Sequence, residues 1–280
     1  MIPNVIARWA SISQVKLELS LSIPLIANYE GLMEWTEEAL ILGCRKHGET
    51  SVILEVMTRE RGRCLGLVRG GRSRRLQPTL QAGNQVRATW RARLEEHLGV
   101  FSVDPISMRA ANLMETSIGV NGIQTLAAHL RLLPERDPHQ GLMDAAEIFI
   151  ENLPDPTLTA ALLVRFELAL LDELGFGLDL NECAASGVRD DLIYVSPKSG
   201  RAVSREAGKA YHDKMLVLPS FLKSDAPSLS GDEVAGAFAL TGFFLNRHIY
   251  EPRQIKPPLS RDILARDIER SFVDGSEGRK

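Results

Sequence analysis

The chain has 280 residues, of which 44% are hydrophobic and 25% charged, with a formal net charge of −3. This composition is typical of a globular protein with one large domain or two ordinary ones. Three scattered cysteines, Cys44, Cys64 and Cys183, argue against a disulfide framework and favour a reducing cytoplasm. No apolar run approaches the roughly 18 residues that a membrane span needs.

Residues 1–32 carry four charged side chains and a moderately apolar stretch from Leu17 to Ile26. They do not read as a signal peptide, because the n-region has one arginine and no cleavage site of small residues follows the apolar part. The pattern predicts a poorly structured extension, weakly amphipathic or disordered. Met33 directly precedes the first strongly patterned segment, so it is an alternative start of the native chain.

Short strand-like segments begin after Glu38. Apolar runs alternate with turns that contain glycine, which predicts five strands within about 70 residues. These strands are Ala39–Arg45, Ser51–Thr58, Arg63–Arg69, Val86–Leu94 and Leu98–Val103. Five short strands at this spacing are typical of a small closed barrel, which we place over residues 33–108.

A dense set of arginines lies within the predicted barrel. Residues 59–93 contain ten arginines and a single acid, Glu60, so this stretch carries +9 and the rest of the chain −12. A local reversal of sign of this size indicates a polyanionic partner. The alternative is an arginine-rich hairpin that is merely solvated.

Two features of this stretch indicate contact with a nucleic-acid strand. The loop Gly70–Arg75 has two glycines followed by three arginines around a serine, which predicts a flexible loop whose backbone N–H groups reach phosphates. In the fourth strand the period of two places arginines on one face and apolar residues on the other. The candidate nucleic-acid-binding residues are Arg63, Arg69, Arg72, Arg74, Arg75, Arg87, Arg91 and Arg93. Trp90 lies on the apolar face, as a core residue or, alternatively, as a platform for base stacking.

From Ala110 onward the pattern becomes helical. Apolar residues at helical spacing between proline and glycine stops predict five helices: Ala110–Leu133, Gly141–Leu153, Thr157–Leu174, Gly231–Ile249 and Leu259–Ile268. The third is apolar nearly all round, which predicts burial. Leu192–Ser196 and Ala202–Ser204 predict a small β-hairpin. The fold class is therefore α+β, with a mainly α-helical domain over residues 109–272 and a disordered tail over 273–280.

Signatures of catalysis are missing from the sequence. Phosphate-loop, dinucleotide-binding, zinc-protease and nucleophile-elbow motifs do not occur, and the six histidines have no common spacing. Asp172, with Asp179 and Glu182 nearby, could pose as part of an acid–base pair, but a solvated acidic helix end accounts for these residues. Cys183 has no helix N-terminus or basic cluster beside it to lower its pKa. We therefore expect no enzyme.

At four places the sequence resembles the RecO recombination-mediator proteins of bacteria. The matches are Gly48–Ser51 before the second strand, Arg69–Arg75 after the third, Arg165–Leu171 with Leu174–Gly175, and Leu180–Cys183 with the hairpin through Tyr194 and Gly200. Their order and spacing carry the resemblance, which covers residues 34–272. It implies an N-terminal five-stranded OB-fold barrel followed by a helical domain.

The sequence departs from the family pattern at a zinc site. Many members place four cysteines around the hairpin; here Cys183 stands at the first position, and Ser186, Ser204 and Ala207 stand at about the other three. One thiolate cannot hold a zinc ion in tetrahedral geometry. We therefore expect no metal and no other cofactor, and packing of Tyr194 and Val203 then has to hold the hairpin.

The resemblance implies a non-catalytic role in recombinational DNA repair. Proteins of this family bind single- and double-stranded DNA, promote annealing, contact the single-strand-binding protein SSB and, with RecR, help to load RecA. Arginines that meet phosphates predict binding that is largely independent of sequence and sensitive to salt. The expected location is the cytoplasm, in association with the nucleoid, without a membrane or small-molecule partner.

Arg165 is the candidate partner-binding residue. The SSB tail is acidic and ends in apolar residues, so its receptor needs an apolar pocket with a cation at the rim. Arg165 lies in the most apolar helix, where an unpaired cation is costly. It therefore receives a carboxylate of the partner or, in the interpretation that we favour, pairs with Asp172 or with acids around Glu167.

Two other functions stay open. An OB-fold protein that binds RNA needs the same basic surface, because stacking and phosphate contacts tolerate either sugar. A small enzyme, by contrast, would use the acidic patch around Asp172 and Asp179.

Overall fold

The computed structural model describes residues 33–223 and 229–277, with side chains as far as residue 272. The expectations for residues 1–32 and 278–280 lie outside these ranges. The described residues form two compact units, 33–144 and 145–277. Within them, no helix is both long enough and apolar enough to cross a bilayer.

The first unit is built on a closed barrel of five strands. They are β1 (Met33–His47), β2 (Ser51–Thr58), β3 (Gly62–Val68), β4 (Gln85–Ala92) and β5 (Val100–Ser107). Their order around the barrel is β1-β2-β3-β5-β4. β3 and β5 pair in parallel, through Leu67 and Val100, and the other neighbours are antiparallel. The predicted OB-type barrel is confirmed.

Alternating side chains fill the barrel. In β4, Val86, Ala88 and Trp90 are buried, while Arg87 and Arg91 between them are exposed, as the period of two predicts. Trp90 is only 3% exposed, so the structure places it in the core.

A helical segment completes the first unit. The single helix predicted from Ala110 to Leu133 is wrong: the structure has α1 (Ala110–Leu113) and α2 (Ser117–Leu130). The break occurs because Thr116 has extended backbone angles and its hydroxyl accepts a hydrogen bond from Gly119 N, which caps a new helix.

The residue that follows α2 is bonded to the barrel. Arg131 Nε donates to Glu55 Oε2 at 2.6 Å, and Arg131 Nη2 donates to the carbonyl oxygen of Leu42 at 2.9 Å. The first compact unit therefore runs past the domain limit predicted at residue 108, and that limit stays a prediction.

The second unit is mainly helical. Its first helix, α3 (Gln140–Asn152), contains the boundary between the two units. The elements that follow are α4 (Pro156–Glu173), β6 (Leu192–Val195), β7 (Ala202–Ser204), α5 (Arg205–Gly208), β8 (Leu216–Val217), α6 (Gly231–Leu245), α7 (Glu251–Arg253) and α8 (Leu259–Glu277). Short 3-10 segments occur at Lys209–Lys214 and Ser220–Leu222. α4 is buried as predicted, with Leu162, Leu163 and Phe166 fully enclosed.

The predicted hairpin is present as β6 and β7, and β8 joins it in the order β7-β6-β8. Tyr194 lies opposite Val203. Val203 is buried, and the ring of Tyr194 lies so close to Gly208 that a Cβ there would meet it at 2.5 Å. Val203 is therefore buried in this sheet, and Tyr194 packs against the helix that follows it, α5.

Two helix ends differ from the prediction. The helix predicted to reach Ile249 is α6, which ends at Leu245 and is followed by a π-helical turn, Asn246–Tyr250. α8 continues to Glu277, so residues 273–277 are helical rather than part of a disordered tail. A polar, charged sequence suits both a solvated helix and a disordered chain, and residue pattern alone does not separate the two.

Candidate nucleic-acid interface

The loop between β3 and β4 carries the cations most available to a ligand. Arg69, Arg74 and Arg75 are exposed. Their guanidinium groups make no ion pair or hydrogen bond with any other residue in the described ranges. They therefore keep their full charge for a partner.

Backbone hydrogen bonds hold this loop in a compact shape. Gly71 N donates to the carbonyl of Val68 at 3.3 Å, Ser73 N to that of Gly70 at 2.9 Å, and Leu76 N to that of Ser73 at 3.1 Å. The N–H groups of Gly71 and Ser73 are therefore already bonded, and the expectation of free backbone N–H groups is wrong at these two positions. The exposed arginine side chains are the clearest groups that the loop offers a phosphate.

Arg72 has a bracing role within the loop. Its Nη1 donates to the carbonyl oxygens of Glu49, at 2.6 Å, and Gly48, at 3.2 Å, and its backbone N donates to the carbonyl of Thr50 at 3.0 Å. These bonds fasten the β3–β4 loop to the turn between β1 and β2. Arg72 thus positions the other arginines, and its own contact with DNA stays a prediction.

The end of β1 adds cations that the sequence reasoning missed. Arg45 and Lys46 are exposed. Lys46 pairs with Val52, and Val52 pairs with Val68 directly before Arg69. The sequence contained a signal for these two cations, because the predicted turn at His47–Glu49 places the end of β1 next to the start of β2, beside the loop. We call Arg45, Lys46, Arg69, Arg74 and Arg75 the basic edge.

The arginines of β4 face glutamates on β1. Glu34 pairs with Arg91 and Glu38 with Arg87 in the strand register. Arg91 Nε and Nη2 donate to the two carboxylate oxygens of Glu34 at 2.7 and 3.0 Å, while Arg87 Nη2 lies 3.8 Å from Glu38 Oε1. The hydrogen bond from Arg91 lowers the pKa of Glu34.

This pairing leaves the face of β4 nearly neutral. The predicted DNA contacts of Arg87 and Arg91 stay predictions, and each would first have to leave its glutamate. Arg93 lies just past β4; it is exposed and has no partner among the residues that the structure describes.

Arg63 is the least accessible of the predicted contacts, with 15% of its side chain exposed. Its Nη1 lies 2.9 Å from Glu55 Oε1, and its Nε donates to the carbonyl oxygen of Leu133 at 3.3 Å. Arg59 and Arg61 are also engaged, with Asp144 and Glu37. The count of +9 therefore overstates the available charge, because it omits acids that the fold brings from outside residues 59–93.

Arg165 lies against Phe221 in the second unit. Its Nη2 donates to the carbonyl oxygen of Phe221 at 2.6 Å, and its guanidinium lies 5.3 Å from the centre of that ring. Glu167 is occupied by a different cation, Arg261, which donates to both its carboxylate oxygens at 2.7 and 2.9 Å. Arg261 and Glu167 thus form a buried ion pair that the sequence reasoning missed, and a partner contact by Arg165 stays a prediction.

The acidic patch considered for an enzyme is tied to the hairpin. Arg201 Nε donates to Asp179 Oδ2 at 3.1 Å, and Arg201 Nη2 donates to Glu182 Oε1 at 3.2 Å. The two carboxylates therefore share one guanidinium, and this ties the chain before the hairpin to Arg201.

Cys183 is 1% exposed and sits beside two serines. Burial raises the pKa of its thiol, but hydrogen bonds from Ser186 and Ser204 outweigh burial and lower it to about 6; Ser204 N, for example, donates to Sγ at 3.3 Å. The cause is neither a helix N-terminus nor a basic cluster but serine hydrogen bonds, which the sequence reasoning did not consider. The serines stand where family members carry cysteines, and a single thiol with two hydroxyls does not fit zinc. Across the described ranges, no three His, Cys, Asp or Glu side chains are grouped to hold a metal.

A closed five-stranded barrel with an exposed cationic loop, followed by a helical unit, is typical of the OB-type proteins that bind nucleic acids. Two family models match the chain: Recombination protein O N terminal over residues 33–109, and Recombination protein O C terminal over residues 128–256. The chain belongs to the RecO family of DNA repair proteins.

Individual relatives agree with this assignment. The DNA repair protein RecO of Rhizobium johnstonii is 61% identical over 231 residues, which cover 82% of this chain and 90% of that protein. That of Mesorhizobium japonicum is 62% identical, covering 82% and 91%. That of Brucella abortus is 58% identical over 241 residues, covering 86% and 98%. The chain is therefore a DNA repair recombination mediator, as the resemblance implied.

Proposed function

We propose that this mediator holds DNA through phosphate contacts at the basic edge and acts without catalysis. The observation that carries the proposal is the set of exposed arginines on the β3–β4 loop, Arg69, Arg74 and Arg75, which have no partner among the described residues. Cations of this kind release counterions from the nucleic-acid backbone when they bind it. Binding is then strong at low salt and indifferent to sequence.

The partners implied by the resemblance belong to the same proposal. The chain would act on single- and double-stranded DNA, contact SSB and RecR, and assist RecA indirectly, in the cytoplasm and in association with the nucleoid. Arg165, beside Phe221, is the proposed cation for the acidic SSB tail. An RNA-binding role is the second candidate, supported by the same basic edge.

The test is a salt titration of DNA binding. Fluorescence anisotropy of a labelled single-stranded oligonucleotide would be measured for the wild type and for Arg69→Gln/Arg74→Gln/Arg75→Gln. Each lost phosphate contact reduces the slope of log affinity against log salt by about 0.7. We expect the variant to lose about two units of slope and roughly one to two orders of magnitude in affinity at low salt.

The matched control removes the same charge elsewhere. Lys198, Lys209 and Lys214 are exposed in the second unit, and changing all three to Gln lowers the net charge equally. The proposal fails if the control loses as much slope as the arginine variant, or if the arginine variant binds like the wild type. The same titration with an RNA strand of equal sequence distinguishes DNA binding from RNA binding. A DNA repair protein should bind DNA at least as tightly as RNA, and tighter binding of RNA would favour the second candidate.

A further inference from the structure

A small cavity of about 90 Å³ lies in the first unit, at the end of the barrel away from the β3–β4 loop. Two tryptophans, Trp35 and Trp90, form part of its wall. Its charged lining residues are Glu60, Arg61, Glu95 and Arg136. The basic edge does not include any of them, so the cavity needs an explanation of its own.

The aromatic wall is rigid. The rings of Trp35 and Trp90 are stacked, with centroids 5.9 Å apart and planes 17° apart. Phe101 meets Trp35 edge-on at 5.7 Å, and Trp90 Nε1 donates to the carbonyl oxygen of Leu98 at 3.0 Å. Gly99 fits here because a Cβ would overlap the indole of Trp90. Trp35 is only half-buried, so part of its ring remains for a ligand.

Two guanidinium groups lie over these rings. Arg61 is 5.3 Å from the centre of Trp35 and Arg136 is 5.8 Å from the centre of Trp90. Arg136 has a left-handed backbone, with φ of 60°, and its N–H donates to the carbonyl oxygen of Arg63 at 2.9 Å. A non-glycine residue in that conformation is strained and persists only where its surroundings enforce it. The fold thus holds Arg136 in place over the aromatic wall.

The charges that line the cavity cancel. The lining has two arginines, Arg61 and Arg136, and two glutamates, Glu60 and Glu95, and Arg61 also lies 3.1 Å from Glu37. A phosphate or a free carboxylate would meet two acids there, whereas a neutral planar ring with polar edges would find an aromatic face, guanidinium planes and hydrogen-bonding groups. Unpaired nucleic-acid bases are such rings, and they stack on aromatic and guanidinium groups.

The size of the cavity limits which kind of base it can hold. A dry cavity of about 150 Å³ takes benzene, so this smaller one can enclose only part of a six-membered ring. A pyrimidine inserted edge-first suits that space better than a purine. Across the eight residues of β2 the basic edge and the cavity are separated by about 25 Å, within the reach of the roughly 4 to 16 nucleotides that an OB fold covers.

We propose that this cavity binds one unstacked pyrimidine base of the same single strand whose phosphates contact the basic edge. The inference rests on the proposed function, because the strand must first be bound. A duplex cannot fill the cavity without unpairing a base, so the site favours single strands. Once bases pair, the cavity loses its ligand.

The test compares two probes with the same number of phosphates. One is a labelled oligothymidylate, and the other is the corresponding oligomer of abasic sugar-phosphate units. We expect the wild type to bind the abasic probe about tenfold more weakly, which corresponds to one stacked base. Equal binding of both probes by the wild type would overturn the base pocket and leave phosphate binding intact. If neither probe binds, the proposed function fails as well.

Variants of the cavity residues test whether the cavity causes the difference in affinity between the two probes. Arg61→Gln/Arg136→Gln should bring the ratio between the two probes close to one, and Trp35→Ala should do the same, whereas Trp35→Phe should keep most of it. Arg69→Gln/Arg74→Gln/Arg75→Gln should lose affinity for both probes but keep their ratio. If the guanidinium variant retains the full ratio, the base lies elsewhere and the inference is wrong.

A crosslinking measurement covers the possibility that Trp35→Ala fails to fold. 5-Iodouracil placed in the oligomer reacts on irradiation with an aromatic side chain that it touches. For the unmodified protein we expect the adduct on the peptide that contains Trp35. Adducts confined to other peptides contradict the proposal. An oligoadenylate that binds as tightly as oligothymidylate contradicts the choice of a pyrimidine.

Discussion

At the scale of single residues, the second unit depends on one buried ion pair. Glu167 is fully buried and Arg261 nearly so. Besides the two bonds to Glu167, Arg261 Nη2 donates to the carbonyl oxygen of Phe238 at 3.0 Å and to Thr241 Oγ1 at 2.9 Å. Burial lowers the pKa of Arg261, but the charge and hydrogen bonds of Glu167 outweigh burial and raise it. Arg261 therefore keeps its charge, and the two side chains are held together by these bonds.

We predict that Arg261→Met destabilises the protein by about 3–5 kcal/mol, because Glu167 is buried and loses the guanidinium that donates to both its carboxylate oxygens. The double variant Arg261→Met/Glu167→Met should recover most of that loss, since a buried pair and an apolar replacement of similar volume are nearly equal in free energy. Urea unfolding measures both. The exposed Arg270→Met is the control and should stay within about 0.5 kcal/mol of the wild type. A double variant as unstable as the single one would contradict this account.

Whether the surroundings of a single residue could be predicted from the sequence depends on where its partners lie in the chain. The burial of Trp90 was predictable because it depends only on the alternation within β4. The engagement of Arg91 was not, since Glu34 reaches it through pairing of strands that are far apart in the chain. Arg63 meets Glu55 on the neighbouring strand of the same hairpin, but the register that brings them together is not visible in the sequence. The importance of Arg261 was hidden for the same reason: nothing in its own polar neighbourhood indicates that it meets Glu167.

At the scale of elements, the start of α6 joins two segments of the second unit. Ser230 and Glu233 form a reciprocal capping box. The carboxylate of Glu233 also accepts from the backbone N of Ser220 at 3.2 Å and from the hydroxyl of Ser220. Burial raises the pKa of Glu233, but the hydrogen bonds from Ser220 and Ser230 outweigh burial and lower it below its usual value.

A lowered pKa in the folded state makes stability depend on pH in a defined direction. The contribution of Glu233 is fully present above its unfolded pKa, near 4.5, and is lost as pH falls through the lower folded pKa. We predict that Glu233→Ala costs about 1 kcal/mol at neutral pH and that the difference from the wild type shrinks below pH of about 4. Thermal unfolding at several pH values measures this.

Two further variants sharpen the pH measurement. Glu233→Gln keeps a hydrogen-bonding side chain in the capping box but cannot ionise, so it should remove the pH dependence while losing less stability. Asp232→Asn removes one negative charge from the same helical turn, on an exposed side chain, and controls for the loss of charge alone. If the wild type and Glu233→Gln keep a constant difference from pH 7 to the acid limit, Glu233 is not the titrating group.

Element types were predictable from pattern, whereas element limits were not. The five strands and α4 follow from periodicity and burial. The break before α2 depends on the cap at Thr116 and on the close approach of Gly119 to the carbonyl of Leu113, which no period reveals. β8 has two residues and is a strand only because β6 offers it an edge.

At the scale of the whole molecule, the distribution of charge decides where DNA can bind. The chain as a whole carries −3, and the strongly basic stretch gives up much of its charge to Glu34, Glu37, Glu38 and Glu55. Apart from Arg93, what remains lies in the loop between β3 and β4. A strand that approaches the first unit should therefore be drawn to the basic edge, and the neutral face of β4 should contribute little.

The glutamates of β1 thus limit DNA affinity, and removing them should raise it. In Glu34→Gln/Glu38→Gln, Arg91 and Arg87 lose their carboxylates but stay exposed on the outer face of β4. If both arginines then reach phosphates, the salt slope for single-stranded DNA should steepen by about 1.4 and the affinity at low salt should rise about tenfold. Anisotropy titrations of the kind used for the basic edge measure both quantities.

Because any loss of two acids reduces repulsion, the control is Glu206→Gln/Asp213→Asn, two exposed acids of the second unit. An equal rise in both variants would mean that only net charge matters. An unchanged slope in Glu34→Gln/Glu38→Gln would show that Arg87 and Arg91 face away from the strand, and it would remove them from the predicted DNA contacts.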